Sequence, residues 1–379
     1  MSAARVQVAY LVSTLRRAGP GSQLLNLLRH LDAGRFEPVV ITLSSESADS
    51  MLPEFEALGT PVRSLAMSRL HGLVNRGWRR DIERLLGRRL DAASVVHSQG
   101  VRGDVIAARF LAGVPRVATA RNNPYDDYPL KFGRLPGNWM ARNHLRAFRA
   151  LPNVVACSCA LAGLLRAQGI DAAVIPNGVD LEKFQPAAAA ERSRLRAKLG
   201  LPPGARVGVS VGALSARKDP LTVVNAIRSI DDASLVIAFL GQGPLEADCR
   251  RLAGGDSRVR FVGQLADVTP WLRAADFLVS ASHAEGLPNA VLEAIACGLP
   301  VVLSDIEPHR ELLDPVPTAG FAFPVGDEQA LARAMARPLP QVARSGVLDP
   351  ATAGLIGAER MSQQYQALYD RIAGAGARS

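Results

Sequence analysis

The sequence predicts an α/β fold with two Rossmann-like domains. Short apolar segments of strand length alternate with helical segments along the whole chain of 379 residues. Such alternation is typical of parallel sheets covered by helices on both faces. The strand-like segments fall into two sets of roughly 150 residues each, the size of a Rossmann-like domain. A proline and an Asn-Gly pair in VIPNGVD (174–180) indicate the boundary between the sets.

The first half opens with the strand-like segment RVQVAYLV (5–12). A glycine-containing loop, RRAGPGSQLLNLL (16–28), follows, and its Gly19 and Gly21 allow close backbone approach. The helical spacing of apolar residues predicts a helix over 23–32. Further strand-like segments lie at 38–44, 94–98, 116–120 and 153–158.

The second half repeats the pattern and ends in an amphipathic helical segment at 358–374. We therefore predict a first domain over 1–175, a second over 176–355 and a C-terminal helical segment over 356–379. The strand-like segments of the second half lie at 206–214, 234–241, 259–263, 277–282 and 300–305.

The composition excludes several classes of protein. No apolar run approaches the roughly 20 residues that a membrane-spanning helix needs. No small-residue cleavage site follows the apolar N-terminal segment, so we interpret it as a strand and not as a signal peptide. The four cysteines lack metal-ligand spacing and suit a reducing compartment, so we expect a cytoplasmic protein.

The net charge of +9 belongs to the first half of the chain. Residues 1–175 contain 23 Lys and Arg against 13 Asp and Glu, and the remainder contains 21 against 22. A basic face suits an anionic membrane surface, an acidic substrate or nucleic acid, and the alternative is a solvated arginine-rich surface. With 5% aromatic residues and no recognised module, we expect no nucleic-acid partner. The basic clusters are Arg76, Arg79, Arg80, Arg84, Arg88 and Arg89 on one predicted helix, and Lys131, Arg134, Arg142, Arg146 and Arg149 around Trp139.

One segment places two glutamates around the start of a predicted helix. In EGLPNAVLEAIAC (285–297), Glu285 precedes a Gly-Leu-Pro turn and Glu293 lies eight positions later in an apolar helix. A buried carboxylate is costly unless a polar group meets it. A helix N-terminus binds anions, and a diphosphate there would place an attached ribose near Glu293, about 7.5 Å along the axis. The alternative is a partly exposed helix without a ligand.

Two adjacent cations follow the first strand of the second domain. VSVGALSARKDP (209–220) comprises a strand, a glycine-containing loop and the pair Arg217 and Lys218. Because the carboxyl ends of parallel strands meet at one edge of a sheet, this pair would face the same crevice as Glu285. Cations there would stabilise a diphosphate leaving group as its bond to a sugar breaks. The alternative is an ordinary polar loop.

Other catalytic signatures are missing from the sequence. It contains no GxGxxG fingerprint, no GxxxxGK[ST] loop and no HExxH. We therefore exclude a dehydrogenase and a P-loop enzyme. The acidic segment YDDY (125–128) has no feature that indicates a metal site.

Together these segments resemble the retaining nucleotide-sugar glycosyltransferases of family 4, which have the GT-B fold. The resemblance spans nearly the whole chain and is strongest over 205–312. It rests on the pair Glu285 and Glu293, the loop before Lys218, and the segments VGQL (262–265) and VIPNGVD. It implies two Rossmann-like domains facing across a cleft, with the C-terminal helix crossing back to the first domain.

The resemblance implies transfer of a sugar from a nucleotide diphosphate to a glycan or lipid-linked acceptor, with retention of anomeric configuration. The donor would be a UDP-, GDP- or ADP-sugar, no metal or other cofactor is expected, and the setting would be cell-surface polysaccharide or glycolipid assembly. Glu285, Lys218 and Arg217 would be the catalytic residues. The donor-binding residues would be Gly21, Gly212, Arg217, Lys218, Gly263, Leu265, Glu285, Gly286, Leu287, Pro288, Asn289 and Glu293.

The chain departs from the family pattern at two positions. The donor loop often opens with Gly-Arg, and here Gly212 precedes alanine, so Arg217 is the candidate replacement cation. The family often has a histidine after the VAT-like strand, where this chain has Arg121. Arginine cannot act as a base near neutral pH. We therefore expect Arg121 and Asn122 on the acceptor side, with His97 as a further candidate there.

Two other functions remain open. A sugar-nucleotide epimerase on the same fold would need further acid–base residues around the donor sugar, and the sequence indicates none. A non-catalytic protein would use the basic first half to bind a membrane surface. Peripheral contact with the anionic inner face of the membrane is also compatible with a transferase that uses a lipid-linked acceptor.

Overall fold

The chain folds into two α/β units in the computed structural model, which describes residues 5–67, 76–316, 319–339 and 348–376. Unit 1 comprises Met1–Gly178 and Ala358–Ser379, and unit 2 comprises Val179–Gly357. The sequence placed the first break after residue 175 and the second after residue 355. The predicted α/β class with two parallel sheets is confirmed.

Unit 1 contains a seven-stranded parallel sheet with the order β3-β2-β1-β4-β5-β6-β7. Its strands are β1 (Val6–Val12), β2 (Phe36–Thr42), β3 (Val62–Ser64), β4 (Ser94–Gln99), β5 (Arg116–Ala120), β6 (Val154–Ala156) and β7 (Ala173–Val174). Its helices are α1 (Gly19–Arg29), α2 (Leu52–Ala57), α3 (Trp78–Leu86), α4 (Val101–Phe110), α5 (Pro124–Phe132), α6 (Arg134–Ala150), α7 (Cys159–Arg166) and the C-terminal α16 (Ala358–Gly376).

Unit 2 contains a six-stranded parallel sheet with the order β10-β9-β8-β11-β12-β13. Its strands are β8 (Arg206–Val211), β9 (Leu235–Leu240), β10 (Val259–Gly263), β11 (Phe277–Ser280), β12 (Val301–Ser304) and β13 (Gly320–Phe323). Its helices are α8 (Ala189–Lys198), α9 (Pro220–Arg228), α10 (Glu246–Ala253), α11 (Thr269–Ala274), α12 (Asn289–Ala296), α13 (Glu307–Leu313), α14 (Glu328–Ala336) and α15 (Pro350–Ile356).

The long apolar strands are buried because helices cover both faces of each sheet. Every residue of β4 and β9 is buried, which explains why these segments show no polar alternation. The sequence analysis missed three strands, β3, β7 and β13. They have only two to four residues each, too few for a periodic signal.

Helix α1 begins four residues earlier than the sequence predicted. Gly19 and Gly21 are therefore in its first turn and not in a loop. Pro20 lies beside them, at a position where a proline costs no hydrogen bond because the first helical amides have no intrahelical acceptor.

The amphipathic tail forms α16 and packs on α1 within unit 1. Ser362 Oγ donates to the Leu27 carbonyl at 2.9 Å, and Gln366 Nε2 donates to that of His30 at 3.1 Å. Tyr365 and Tyr369 are fully buried in the same hydrophobic core as β1 and α1. Among the described helices, none combines the length and the apolar character that a membrane span requires.

Candidate functional site

The candidate site of unit 2 lies where its strand order reverses. Strand β8 pairs with β9 on one side and with β11 on the other. At such a switch point the connections after the two central strands leave on opposite faces, which opens a crevice at the carboxyl ends. Arg217 and Lys218 lie in the connection after β8, and Glu285 lies in the connection after β11.

In the connection after β8, Gly212 packs against the side chain of Lys218, and only a glycine fits this position. Gly212 has a φ of +138°, a region that side chains other than glycine avoid. A Cβ atom on it would lie 3.2 Å from Cε of Lys218. The chain then turns through Asp219, a left-handed residue with φ of +44°, whose side chain accepts from the Thr222 amide and caps α9. This turn ends the loop directly after the two cations.

Arg217, Lys218 and Glu285 form one ionic cluster. Nζ of Lys218 lies 2.5 Å from Glu285 Oε1, and Nη1 of Arg217 lies 2.9 Å from Oε2. Ser282 Oγ also donates to Glu285 Oε1, at 2.8 Å. The Glu285 side chain is 7% exposed, whereas both cations are 20% exposed. The carboxylate is therefore enclosed, and the cations remain accessible.

Glu285 is held in its ionised form. Burial alone would raise the pKa of its carboxyl, but the charges of Lys218 and Arg217, with hydrogen bonds from Lys218 and Ser282, bring the pKa down to about 2. Glu285 cannot therefore serve as a general acid near neutral pH. It contributes a fixed negative charge and orients both cations.

Glu293 shows the opposite behaviour. It is the fifth residue of α12, and burial raises its pKa to about 7, while Lys183 lowers it and Asp267 raises it. Its side chain is half-buried, and within the described ranges no hydrogen-bond or ion-pair partner of its carboxyl is found. The charge of Lys218 also acts on this carboxyl. The two glutamates of the motif thus lie in one site, but the pKa of Glu285 is lowered and that of Glu293 is raised.

The remaining donor-side candidates surround α12 and the end of β10. Helix α12 begins at Asn289, and Pro288 is its N-cap residue. Gly286 and Leu287 are buried in the turn before it. Gly263 ends β10 with a φ of +88°, and Leu265 is partly exposed just after it. These positions all belong to unit 2, whereas Gly21 is in unit 1.

Sequence reasoning missed His309 and its neighbours. His309 is fully buried in α13, and its Nδ1 donates to the Ser304 carbonyl at 2.7 Å. Its Nε2 is then an acceptor, and no partner for it is found in the described residues. Burial lowers the pKa of His309 to about 4, and the Glu285 and Lys218 charges both act on the ring. A single histidine in a short helix carries no periodic or motif signal, so the sequence could not single it out.

Arg121 and Asn122 line a cavity of unit 1. Its volume is about 270 Å³, and it lies at the carboxyl ends of β1 and β4, where the strand order of this sheet reverses. Nη1 of Arg121 donates to Asn177 Oδ1 at 2.5 Å, and two further nitrogens of the guanidinium are buried without an acceptor among the described residues. Gly21 lines the same cavity.

The structure does not support His97 as an acceptor-side residue. It lies inside β4 and is fully buried, with Nδ1 2.7 Å from the Tyr369 hydroxyl and Nε2 2.7 Å from Thr119 Oγ1. Burial, and to a smaller extent the charge of Arg121, lowers its pKa to about 3. Both ring nitrogens are thus satisfied by the core. His283, in the connection after β11, is exposed, and its Nε2 lies 3.0 Å from Asp219 Oδ2.

The described residues contain no group of three or more His, Cys, Asp or Glu side chains that could hold a metal ion. Positive charge at the switch point of unit 2 comes instead from Arg217 and Lys218.

Comparison with known proteins covers both units. The model described as "Glycosyltransferase Family 4" matches residues 18–183, and "Glycosyl transferases group 1" matches residues 205–340. Alpha-maltose-1-phosphate synthase of Mycobacterium tuberculosis is 30% identical over 307 residues, which cover 73% of this chain and 76% of that protein. UDP-Gal:alpha-D-GlcNAc-diphosphoundecaprenol alpha-1,3-galactosyltransferase of Escherichia coli is 35% identical over 173 residues, 43% of this chain and 44% of that protein.

Several curated relatives, this galactosyltransferase included, match over less than half of their own length. Among solved structures, Anabaena Alr3699/HepE in complex with UDP superimposes with a TM-score of 0.77 at 19% identity, covering 96% of this chain and 100% of that one. The likeness extends over both sheets and gives the GT-B fold. The chain belongs to glycosyltransferase family 4.

Proposed function

We propose that this protein is a retaining glycosyltransferase that moves a sugar from a nucleotide-diphosphate donor to a glycan or lipid-linked acceptor. The observation that carries the proposal is the cluster of Arg217, Lys218 and Glu285 at the switch point of unit 2. Two accessible cations, held by an enclosed carboxylate beside the start of α12, form a site for a diphosphate.

In this function the cations stabilise the leaving group. When the bond between the anomeric carbon and the diphosphate breaks, negative charge grows on the phosphate oxygens and positive charge on the sugar. Lys218 and Arg217 would stabilise the first and the ionised Glu285 the second. The cluster is already assembled, so it needs little reorganisation during the reaction. Retention of configuration is part of the proposal and follows the family assignment.

Glu293 would accept hydrogen bonds from the ribose hydroxyls. Burial leaves this carboxyl with a pKa of about 7. Hydroxyl donors favour the charged form and would lower that pKa on binding. The carboxylate would then gain the partners that the described residues do not supply, which is the role we expected from its position in an apolar helix.

We place the acceptor on unit 1 and the protein at the cytoplasmic face of a membrane. The Escherichia coli relative is named for a diphosphoundecaprenol acceptor, which supports a lipid-linked substrate and cell-surface polysaccharide or glycolipid assembly. The positive charge of the first half suits anionic lipid. Among UDP-, GDP- and ADP-sugars, UDP-glucose is the first donor to test, since Anabaena structures hold UDP and UDP-glucose.

Thermal unfolding with UDP, GDP and ADP, each alone, tests the donor site. A nucleotide at ~100 times its dissociation constant stabilises the folded protein by ~2.7 kcal/mol. We expect one nucleotide to raise Tm clearly, and Glu293→Gln to remove most of that rise. Glu328→Gln, an exposed glutamate in the first turn of α14, is the matched control and should keep it. A folded protein whose Tm responds to none of the three would contradict the proposal.

A further inference from the structure

The α5–α6 hairpin (124–150) exposes an unusual amount of apolar surface. Five of the eight large apolar side chains that are exposed in the described residues belong to it. Its most exposed members are Leu130 at 60%, Phe132 at 50%, Leu135 at 86% and Trp139 at 64%. Every residue from 130 to 136, across the connection between the helices, is exposed. Contiguous apolar surface of this kind marks an interaction site.

Apolar and basic residues follow one another along a single face of α6. Leu135, Trp139, Arg142, Arg146 and Arg149 are spaced by four, three, four and three positions, so they lie on one stripe of the helix. Each of the five is exposed. The apolar pair lies at the tip of the hairpin and the arginines lie behind it. An interfacial helix has both kinds of residue, apolar ones that enter the lipid and basic ones that meet the headgroups.

The arginines form a second cavity with a volume of about 330 Å³. Its lining contains no acidic side chain among the described residues and consists of Tyr125, Arg142, Leu145, Arg146, Arg149 and Gln168. Arg149 donates to the Gln168 carbonyl, and Arg146 donates to Asn143 at 3.3 Å. Neither contact neutralises a charge. The cavity therefore has the charge and the donors to take a phosphate group.

Several other surface arginines of the molecule form ion pairs. Arg250 lies 2.8 Å from Glu246 on α10, and Arg79 lies 3.0 Å from Glu83 on α3. Within the hairpin, Lys131 lies 2.7 Å from Asp127, and Asp126 accepts from Asn123. By contrast, no ion pair of the hairpin's four arginines is found in the part of the chain that the structure describes. These four are Arg134, Arg142, Arg146 and Arg149.

The hairpin is held firmly to unit 1. Tyr128 on α5 lies 2.7 Å from Nδ1 of His144 on α6, and His144 Nε2 lies 2.7 Å from the fully buried Asp104. A Cβ atom on Gly137 would lie 2.5 Å from the backbone of Pro129, so the two helices approach closely. The exposed apolar residues are thus presented on a rigid support.

We propose that the α5–α6 hairpin docks this protein onto an anionic lipid bilayer. Leu130, Phe132, Leu135 and Trp139 enter the interfacial region, and the arginines bind lipid phosphates. A second copy of this chain would bring a like-charged stripe against the first, which disfavours self-association. Tyr128 and Lys131 also line the 270 Å³ cavity of unit 1, so docking brings that cavity close to the bilayer. Docking itself is independent of the proposed function. Only the idea that docking brings a lipid-linked acceptor to the cavity rests on that function.

Vesicle flotation tests the proposal without any nucleotide. We expect binding to phosphatidylcholine vesicles that contain phosphatidylglycerol, and little binding to phosphatidylcholine alone. Each lipid-facing arginine contributes about fivefold in affinity, so R142Q/R146Q should weaken binding about 25-fold. L135S/W139S should also lose binding. The matched control R80Q/R89Q removes the same charge from exposed positions of unit 1 outside the hairpin and should keep binding within a few-fold.

Tryptophan emission tests insertion directly. The chain has three tryptophans, and Trp139 is the exposed one, since Trp78 is 2% and Trp271 is 8% exposed. Anionic vesicles should shift its emission to the blue, and brominated lipid should quench it. The shift should disappear in W139F, which retains an aromatic ring and should still float with the vesicles.

Three outcomes would overturn the proposal. They are absence of binding to anionic vesicles, loss of binding in R80Q/R89Q but not in the hairpin variants, and binding without a change in Trp139 emission. Sedimentation must also show a monomer, because a dimer that W139S dissociates would assign the apolar stripe to a second copy. Because no nucleotide is present, failure of the proposed donor site would leave these measurements unchanged.

Discussion

The two sheets of this protein share a strand order but differ at the point where that order reverses. In unit 2 the carboxyl ends of β8 and β11 lead to Arg217, Lys218 and Glu285. In unit 1 the residues at the corresponding ends of β1 and β4, among them Ser13 and Gln99, are uncharged, and the charged residues that line the cavity there, such as Arg121, come from other connections. The fold supplies a crevice twice, and the residues at its rim decide which crevice suits a diphosphate.

Individual buried polar groups also differ in whether the protein satisfies them. In unit 1 both nitrogens of His97 are satisfied by Tyr369 and Thr119. In unit 2 no partner is found in the described residues for Nε2 of the buried His309 or for the half-buried Glu293 carboxyl, and two buried nitrogens of Arg121 in unit 1 also lack an acceptor there. A satisfied buried network stabilises a fold, whereas an unsatisfied group costs free energy and indicates a place for a ligand. The following predictions test this distinction.

The largest effect is expected for Lys218→Met. Loss of one preorganised charge at the leaving group should lower kcat/KM about 10²–10³-fold. The measurement is sugar transfer, or donor hydrolysis, with the nucleotide sugar whose nucleotide raises Tm. Lys198→Met, an exposed lysine in α8 of the same unit, is the control. Equal rates for both variants would remove Lys218 from the reaction.

His97→Ala should act on stability and not on catalysis. It leaves the hydroxyls of Tyr369 and Thr119 without their partner in the core, which should lower the free energy of unfolding by about 2–4 kcal/mol. Chemical denaturation measures this loss, and kcat of the folded variant should match the wild type. A large fall in kcat with unchanged stability would restore His97 as a site residue.

The same variant has a defined pH dependence. The pKa of His97 falls from 6.5 to about 3 on folding. The unfolded chain therefore binds the proton first as the pH drops, and wild-type stability is lost from about pH 6.5 down to pH 3. The difference in stability between wild type and His97→Ala should shrink over that window. A constant difference would mean that His97 is not neutral in the core.

Glu293→Gln should have the opposite effect on stability. Burial raises the pKa of Glu293 from 4.5 to about 7, so the folded protein favours the neutral form. Wild-type stability should therefore fall as the pH rises from 4.5 to about 7. Without nucleotide, the variant should be more stable above this range, by up to about 3 kcal/mol, and similar below it. A variant that is less stable at every pH would indicate a structural role for the carboxylate.

The smallest effect is expected for Gly212→Ala. Its Cβ would strain a φ of +138° and press on Lys218 Cε from 3.2 Å. Gly255→Ala is the matched control, because Gly255 has a φ of +84° with open space around its Cβ position. Both variants should lose about 1–3 kcal/mol of stability through strain. Only Gly212→Ala should also lower activity, about tenfold, through displacement of the lysine. Equal activities would show that the position of Lys218 tolerates this shift.

Much of the fold could be predicted because its signals are local. Apolar runs of strand length gave β1, β4, β5 and β9 almost to the residue, since buried parallel strands are continuous in apolarity. The start of α1 could not be predicted, because its first turn holds two glycines and a proline that are typical of loops. His97 was expected on the acceptor side but lies in the buried interior of β4. The sequence could not separate these positions, because the exposed end and the buried interior of a strand differ by only one or two residues.

The sequence alone determined the α/β alternation and the family motif with Glu285, Glu293 and Lys218, since these depend on residue type and spacing. Only the tertiary structure decided that neighbouring cations keep Glu285 ionised and that burial raises the pKa of Glu293. The pKa of each depends on burial and on cations from a distant loop. It also decided that Leu135 and Trp139 are exposed while His97 is enclosed. Exposure is set by which helix packs on which sheet, and no local pattern contains that information.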